Sequence, residues 1–358
     1  MSHFQSLAVF SCARQNRLQA ACSKALLVAA AGLAGLLICT AQAAAEGASA
    51  GTLLVTNKGD KTLSLIDPVT DKVVVNIPEE GETGHEVATS PDGKLAYVPI
   101  YGNSGVGKPG TDGQIVQVID LAQRKIVGAV DFGKGIRPHC PIYSAKTGVL
   151  YVTTELENSV SIIDPATLKI VGSIPTGHPE SHMLCVTRDG QRGYTANVAS
   201  GTVSVLDLVE KKLVTTIPIS GMTQRISLSV DERWVFTADQ KKPQLAVIDT
   251  KTNEVANWIP LTDFGYGTAA TPDGKSLLVC VGLTDVAVVD LQTMKVVKSL
   301  EVPHAPQEIL IRPDGAEAYV SCDASAKVAV IDLKEMKVKT LIDAGKKADG
   351  LAWAKAAQ

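Results

Sequence analysis

The chain is 358 residues long with a formal net charge of −3, and no Lys/Arg block stands out that would neutralise a phosphate backbone, so nucleic acid is not an expected partner. Thirty glycines and only 4% aromatic residues describe many turns around an aliphatic core, long enough for one large core or two modest ones. There is scarcely any helical periodicity, so neither the strand-to-helix elbow of α/β hydrolases nor a phosphate loop leading into a helix is expected.

Residues 1–45 stand apart from the rest. Arg14, Arg17 and Lys24 precede an apolar run from Ala25 to Ile38, and small residues follow in AQAAA at 41–45. A basic segment, a short apolar core and an A-x-A site together describe a signal peptide cleaved near Ala43–Ala45, which places the mature chain in the periplasm or outside the cell. The apolar run is too short to cross a bilayer comfortably, so no stable transmembrane span is expected in the mature chain. Residues 46–51 read as a short linker. Of the seven cysteines, Cys12, Cys22 and Cys39 fall in the leader, while Cys140, Cys185, Cys280 and Cys322 remain. These four form no C-x-x-C and no haem-attachment C-x-x-C-H, and their spacing leaves any pairing open.

From residue 52 onward the chain is a tandem repeat. TLLVTN at 52–57, then 62–67, then 73–77 read as three strands, the second ending in Asp67. Further copies of that Asp stand at 120, 164, 207, 249, 290 and 332, with spacings of 53, 44, 43, 42, 41 and 42. A four-stranded unit repeated every 40–45 residues or so is the signature of a β-propeller with one blade per repeat. The segment Gly84–Asn103 shows the first half of the unit: a short strand, a Pro-Asp-Gly turn suited to a tight hairpin, and a second strand, Leu95–Ile100. Successive blades take 85–131, 139–174, 182–217, 224–259, 266–300 and 307–341, the first of these carrying the insertion YGNSGVGKPGTDGQ at 101–114. ADGLAWA at 348–354 then matches a first strand with nothing after it, and the opening three strands lack one. The expected fold is therefore all-β: a seven-bladed propeller over 52–355 with four antiparallel strands per blade. Its C-terminal strand completes the N-terminal blade, leaving no open edge.

Second strands repeat a phrase: LLVTN at 53, AYVPI at 96, LYVTT at 150, GYTAN at 193, VFTAD at 235, LLVCV at 277 and AYVSC at 318. In this the chain resembles the YVTN β-propeller repeat family, over roughly residues 51–355. The resemblance implies the fold strongly and function weakly, because propellers host enzymes and plain binding scaffolds alike. The family's first strand usually reads Pro, any residue, Gly. Here Glu86, Cys140, Met183, Arg225 and Glu308 replace that Gly, and only Gly267 and Gly350 keep it.

Strand alternation puts the short stereotyped turns, at 91, 146, 189, 272 and 313, on one face of the ring, expected to be structural. The other face gathers the variable loops, where binding residues usually sit. His85, His139 and His182 fall at one repeat position on three consecutive blades, and the remaining blades place Gln224, Tyr266, Gln307 and Asp349 there. First strands surround the channel, so these seven positions form a polar ring at its mouth. Three imidazoles are the ligand set of a divalent ion (Zn, Cu, Mn or Ca), with Glu86, Glu308 or Asp349 as added ligand or general base. The plainer reading is a ring of polar side chains at a solvated mouth. Arg225 facing Glu86 or Glu308 is either a clamp for an anionic ligand or an ion pair across the channel. Gln224, Tyr266 and Gln307 are the other ligand-binding candidates. Arg137 is a second candidate clamp; Glu155, Glu157, Asp239, Lys241 and Lys242 are expected only to keep the rim soluble. Two functions follow. One is an exported binding or scaffold protein presenting the loop-rich face to a small molecule or protein partner. The other is a metal-dependent hydrolase, lactonase or lyase at the channel mouth, with Glu86, Glu308, Arg225 and Asp349 as catalytic candidates, so whether the chain is an enzyme stays open at this point.

Overall fold

The computed structural model describes residues 51–103 and 105–356; the expected leader and the linker up to residue 50 lie outside the described residues. Numbering the strands in chain order, the first blade consists of β28 (Ala348–Lys355), β1 (Gly51–Asn57), β2 (Thr62–Asp67) and β3 (Lys72–Pro78), hydrogen-bonded in that order. Its closing register pairs Gly51 with Lys355 and Leu53 with Trp353. Six further four-stranded antiparallel sheets follow. Their inner strands are β4 (Ala88–Thr89), β8 (Pro138–Ser144), β12 (Ser181–Val186), β16 (Ile226–Leu228), β20 (Gly265–Ala270) and β24 (Pro306–Ile311). Each inner strand touches the next in turn, and β24 touches β28, which touches β4, so the contacts run full circle. The seven-bladed ring expected from the spacing, closed by the last strand, is the observed fold.

The core lies between blades rather than within one. Leu54, Leu63 and Ile77 of the first blade pack against Val98, Ile100 and Ile119 of the second. On its other side, Leu53, Val55 and Ile66 pack against Tyr319, Val328 and Val330 of the seventh. A middle strand therefore has both faces covered and reads as an unbroken apolar run: Val328, Ala329, Val330 and Ile331 are all fully buried. Burying each such Val or Ile side chain contributes about 1.5–3 kcal/mol. Outer strands face water on one side and alternate instead, as in KVVVNIP at 72–78.

The regular Asp has a structural cause. In every blade it ends the third strand, and its Oδ1 accepts a backbone N–H two or three residues on, at 2.7–3.0 Å. Four residues after it comes a left-handed residue, from Asp71 at φ 55° to Met336 at φ 48°. An Asx-capped turn of this kind forces one extra residue into the outer strand, and a register shift follows in all seven blades. In the first blade the extra residue is Val74, skipped between Leu65↔Val75 and Ile66↔Val73 and 53% exposed.

Three of the short turns between first and second strands use Pro-Asp-Gly. Gly93 has φ 70°, and a Cβ there would stand 2.0 Å from the Lys355 carbonyl. The four cysteines are free thiols on four blades, and burial pushes the Cys322 thiol up to about 12. Among the described residues no helix is long and apolar enough to cross a membrane.

Candidate functional site: the polar layers across the channel

The threonine of the repeat phrase positions the ring. Thr56 donates to the His85 carbonyl at 2.7 Å and Thr153 to that of His182 at 2.7 Å, so one blade's second strand holds the next blade's inner strand. Thr237 donates likewise to the Arg225 carbonyl at 2.7 Å within its own blade. Side chains from two successive inner-strand positions then fill the channel in two layers.

The layer nearer the loop-rich face is aromatic. His139 and His182 stack at 3.7 Å between centroids with 27° between planes, and His85 meets His139 edge-on at 5.4 Å. Tyr101 stacks on His85 at 4.5 Å and donates its hydroxyl to Glu155 Oε2 at 2.7 Å. The second carboxylate oxygen of Glu155 takes the Nδ1 hydrogen of His182 in a short hydrogen bond, and the Gln224 amide donates to His182 Nε2 at 3.2 Å. That network fixes the His182 tautomer. Burial pushes the imidazoles of His85, to about 3, and of His139 well below their usual range, and both stay neutral at ordinary pH. His139 is 1% exposed, and its Nδ1 is buried without a hydrogen-bond partner.

Below lies an ionic layer. Arg225 Nη2 donates to Asp349 Oδ1 at 2.8 Å and stands 2.8 Å from Glu86 Oε1, while Nη1 is 3.6 Å from Glu308 Oε2. The Arg225 guanidinium also sits over the Tyr266 ring, 5.4 Å from its centroid. Lys58 pairs with Asp349 at 2.8 Å and with Asp323 at 3.1 Å. Burial alone would raise the Asp349 carboxyl, but Lys58 and Arg225 hold it down at about 2. Burial raises Glu86 well above the carboxylate range against the pull of Arg225, and the neighbouring Glu308 and Asp349 add to it.

The structure thus brings His85, His139, His182 and Gln224 together in one layer, and Glu86, Arg225, Glu308, Asp349 and Tyr266 in or against the next. Arg225 makes the ion pair across the channel. Gln307 turns to its own loop, donating to the Ala305 carbonyl at 3.3 Å. The three-histidine metal site is corrected. The rings lie face to face or edge to face rather than converging their nitrogens, His182 has both nitrogens engaged, and among the described residues no group of three His, Cys, Asp or Glu is placed to hold a metal ion. Glu155 is no rim residue: it is 1% exposed and ties Tyr101 to His182. The insertion is held down by Arg137, which donates to Asp112 Oδ1 and to the Lys108 carbonyl, each at 2.6 Å. Sequence reasoning missed Tyr101, Glu155 and Lys58. All three sit at or just after the end of a second strand, the one feature that could have drawn attention to them.

Comparisons with known proteins agree on architecture. The Cytochrome D1 heme domain family matches residues 144–272. Protein YncE of Salmonella typhi is 24% identical over 212 residues, which span 56% of this chain and 60% of YncE's own length. The seven-bladed beta-propeller protein Rv1057 of Mycobacterium tuberculosis is 26% identical over 285 residues, covering 74% of this chain and 64% of its own length. Among solved structures, the dihydro-heme d1 dehydrogenase NirN superposes with a TM-score of 0.62 at 16% identity, over 85% of this chain and 75% of that one. A likeness at that identity is one of fold.

Proposed function

This chain is a seven-bladed β-propeller of YVTN-type repeats, and from that premise we propose that it is an exported binding protein which seats a small polar molecule at the loop-rich mouth of its channel. The observation that carries this reading is the buried His139 Nδ1, left without a partner in a layer where Tyr101, Glu155 and both nitrogens of His182 are hydrogen-bonded to one another or to Gln224. A buried, unpaired polar atom costs about 1–3 kcal/mol. A ligand that pairs with it recovers that cost, and the partly exposed ring of His85 stands beside it, edge-on to His139 at 5.4 Å. Export rests on the basic, apolar and A-x-A segments of 1–45.

The test is a thermal-shift titration of the mature chain with small planar acids and phenols: benzoate, nicotinate and catechol. At least one should raise the melting temperature with concentration, and His139→Leu should abolish the rise while the unliganded chain melts within a few degrees of the parent. No rise with any of the three, or a rise unchanged in His139→Leu, would refute the reading.

The Cytochrome D1 heme domain match raises a haem-related ligand as a second reading, and the residues as packed do not fit one. His182 spends Nε2 on Gln224 and Nδ1 on Glu155, and its 3.7 Å stacking on His139 leaves no room for a macrocycle between those two rings. Added haemin should therefore leave no Soret shift that depends on His182. A shift lost in His182→Ala would establish the haem reading instead.

A further inference from the structure

Beneath the ionic layer the channel widens into an apolar funnel of about 590 Å³ that opens towards the short-turn face. Its walls are inner-strand side chains such as Ile142, Met183, Leu310 and Trp353, and Glu86 and Glu308 close its inner end. From Glu86 to the turn at Pro91, five residues of extended chain rise about 16 Å, a depth that suits a ten-carbon chain. This opening lies on the face expected to be purely structural, away from the histidine layer.

With every carboxyl ionised, the closed end would carry more negative charge than Lys58 and Arg225 balance. Asp349 is satisfied by Lys58 and by Arg225 Nη2. The same Nη2 also stands 2.8 Å from Glu86, and Nη1 is 3.6 Å from Glu308, whose Oε2 accepts the Leu351 N–H at 2.8 Å. Glu86 is 3% exposed, and its Oε1, though close to Arg225, makes no aligned hydrogen bond. The Glu308 side chain keeps 22% of its surface exposed. Cys140 and Met183 share this layer and bring no compensating charge.

We propose that the funnel binds a single-chain amphiphile with a primary ammonium head, its tail along the apolar walls and its head against Glu86 and Glu308. An ammonium supplies the missing positive charge and three donors, whereas a carboxylate head of the same tail meets two acidic groups. Burial raises the Glu86 carboxyl well above its ordinary range against the pull of Arg225, which favours the protonated form in the free protein. The arriving ammonium displaces that proton: R–NH₃⁺ binds the carboxylate, and one proton leaves to solvent.

The proposal does not depend on the reading of the histidine mouth, and its test leaves His139 untouched. Mature chain is titrated calorimetrically at pH 7 with n-decylammonium, decanoate and decanol below their aggregation concentrations, in two buffers of different ionisation enthalpy, with tryptophan emission followed in parallel in a Trp234→Phe, Trp258→Phe background that leaves Trp353 as the emitter. Decylammonium should bind at least about tenfold more tightly than decanoate, a gap of about 1.4 kcal/mol, and release up to one proton. Glu86→Gln with Glu308→Gln should remove both the preference and the proton release while the circular dichroism spectrum stays that of the parent. Should that double variant misfold, the parent still decides: equal affinity for decanoate, or no binding of decylammonium, overturns the proposal.

Discussion

Glu79 shows how a single side chain can set a pH dependence. It is 8% exposed, its Oε2 accepts the Gly84 N–H at 2.7 Å, its Oε1 has no partner, and burial pushes its carboxyl up to about 7. A raised acid favours the fold while protonated, so this contribution is complete below the unfolded carboxyl range and is lost as pH rises to about 7. Glu79→Gln should therefore stabilise the chain at pH 8 by about 3 kcal/mol at most, with no gain at pH 4, read from urea denaturation at both values. At this scale the sequence was partly legible. Replacement of the repeat's glycine by Arg225, Glu86 and Glu308 marked them as partners, because nothing in blade packing asks for charge at that position. Glu155 was misread, since a Glu just after a strand looks like any solvated rim residue until Tyr101 and His182 are known to converge on it.

Among the elements, the turn between third and fourth strands is the most strongly specified. Hydrogen bonds from the turn hold the carboxyls of Asp67, Asp120, Asp164, Asp290 and Asp332 below their ordinary range. A depressed carboxyl contributes stability above its unfolded value and loses it as pH falls through the folded one. Asp290→Ala should lower the melting temperature at pH 7, and the difference should close as pH is taken down to about 3. If the two chains still melt apart by the same margin in acid, the Asp side chain is not the cap it is described as. These turns were legible as a ruler, though the sequence did not show why Asp was needed. The reason is the capped backbone and the left-handed residue four positions on, which Lys, Leu or Met fills as readily as Asn.

For the molecule as a whole, β28 is the closure. Removing 348–358 takes the partner of β1 and leaves the inner edge of that strand unpaired, so the truncated chain should lose its cooperative unfolding transition and aggregate. Because Gly51 and Lys355 are paired neighbours, a circular permutant joining 355 to 51 and opened at the 146–148 turn should instead fold, with a single transition in calorimetry. A truncated chain that unfolds like the parent would show that the seventh and first blades hold together without it. The ring was readable from end to end because an interval of 41–44 residues, lengthened to 53 only where the insertion falls, survives every change of side chain. The channel's interior was less so, since which inner-strand residues meet depends on geometry across blades that are distant in sequence.

The same closing register carries a mechanical meaning. The two free ends of the ladder, Gly51 and Lys355, lie side by side at one end of an antiparallel pair. A pull that separates them loads the hydrogen bonds one after another, as a zipper is loaded, rather than all at once. Tension between the two ends of the domain would therefore open the ring gently at one seam, while the other six sheets stay folded until their own turn comes.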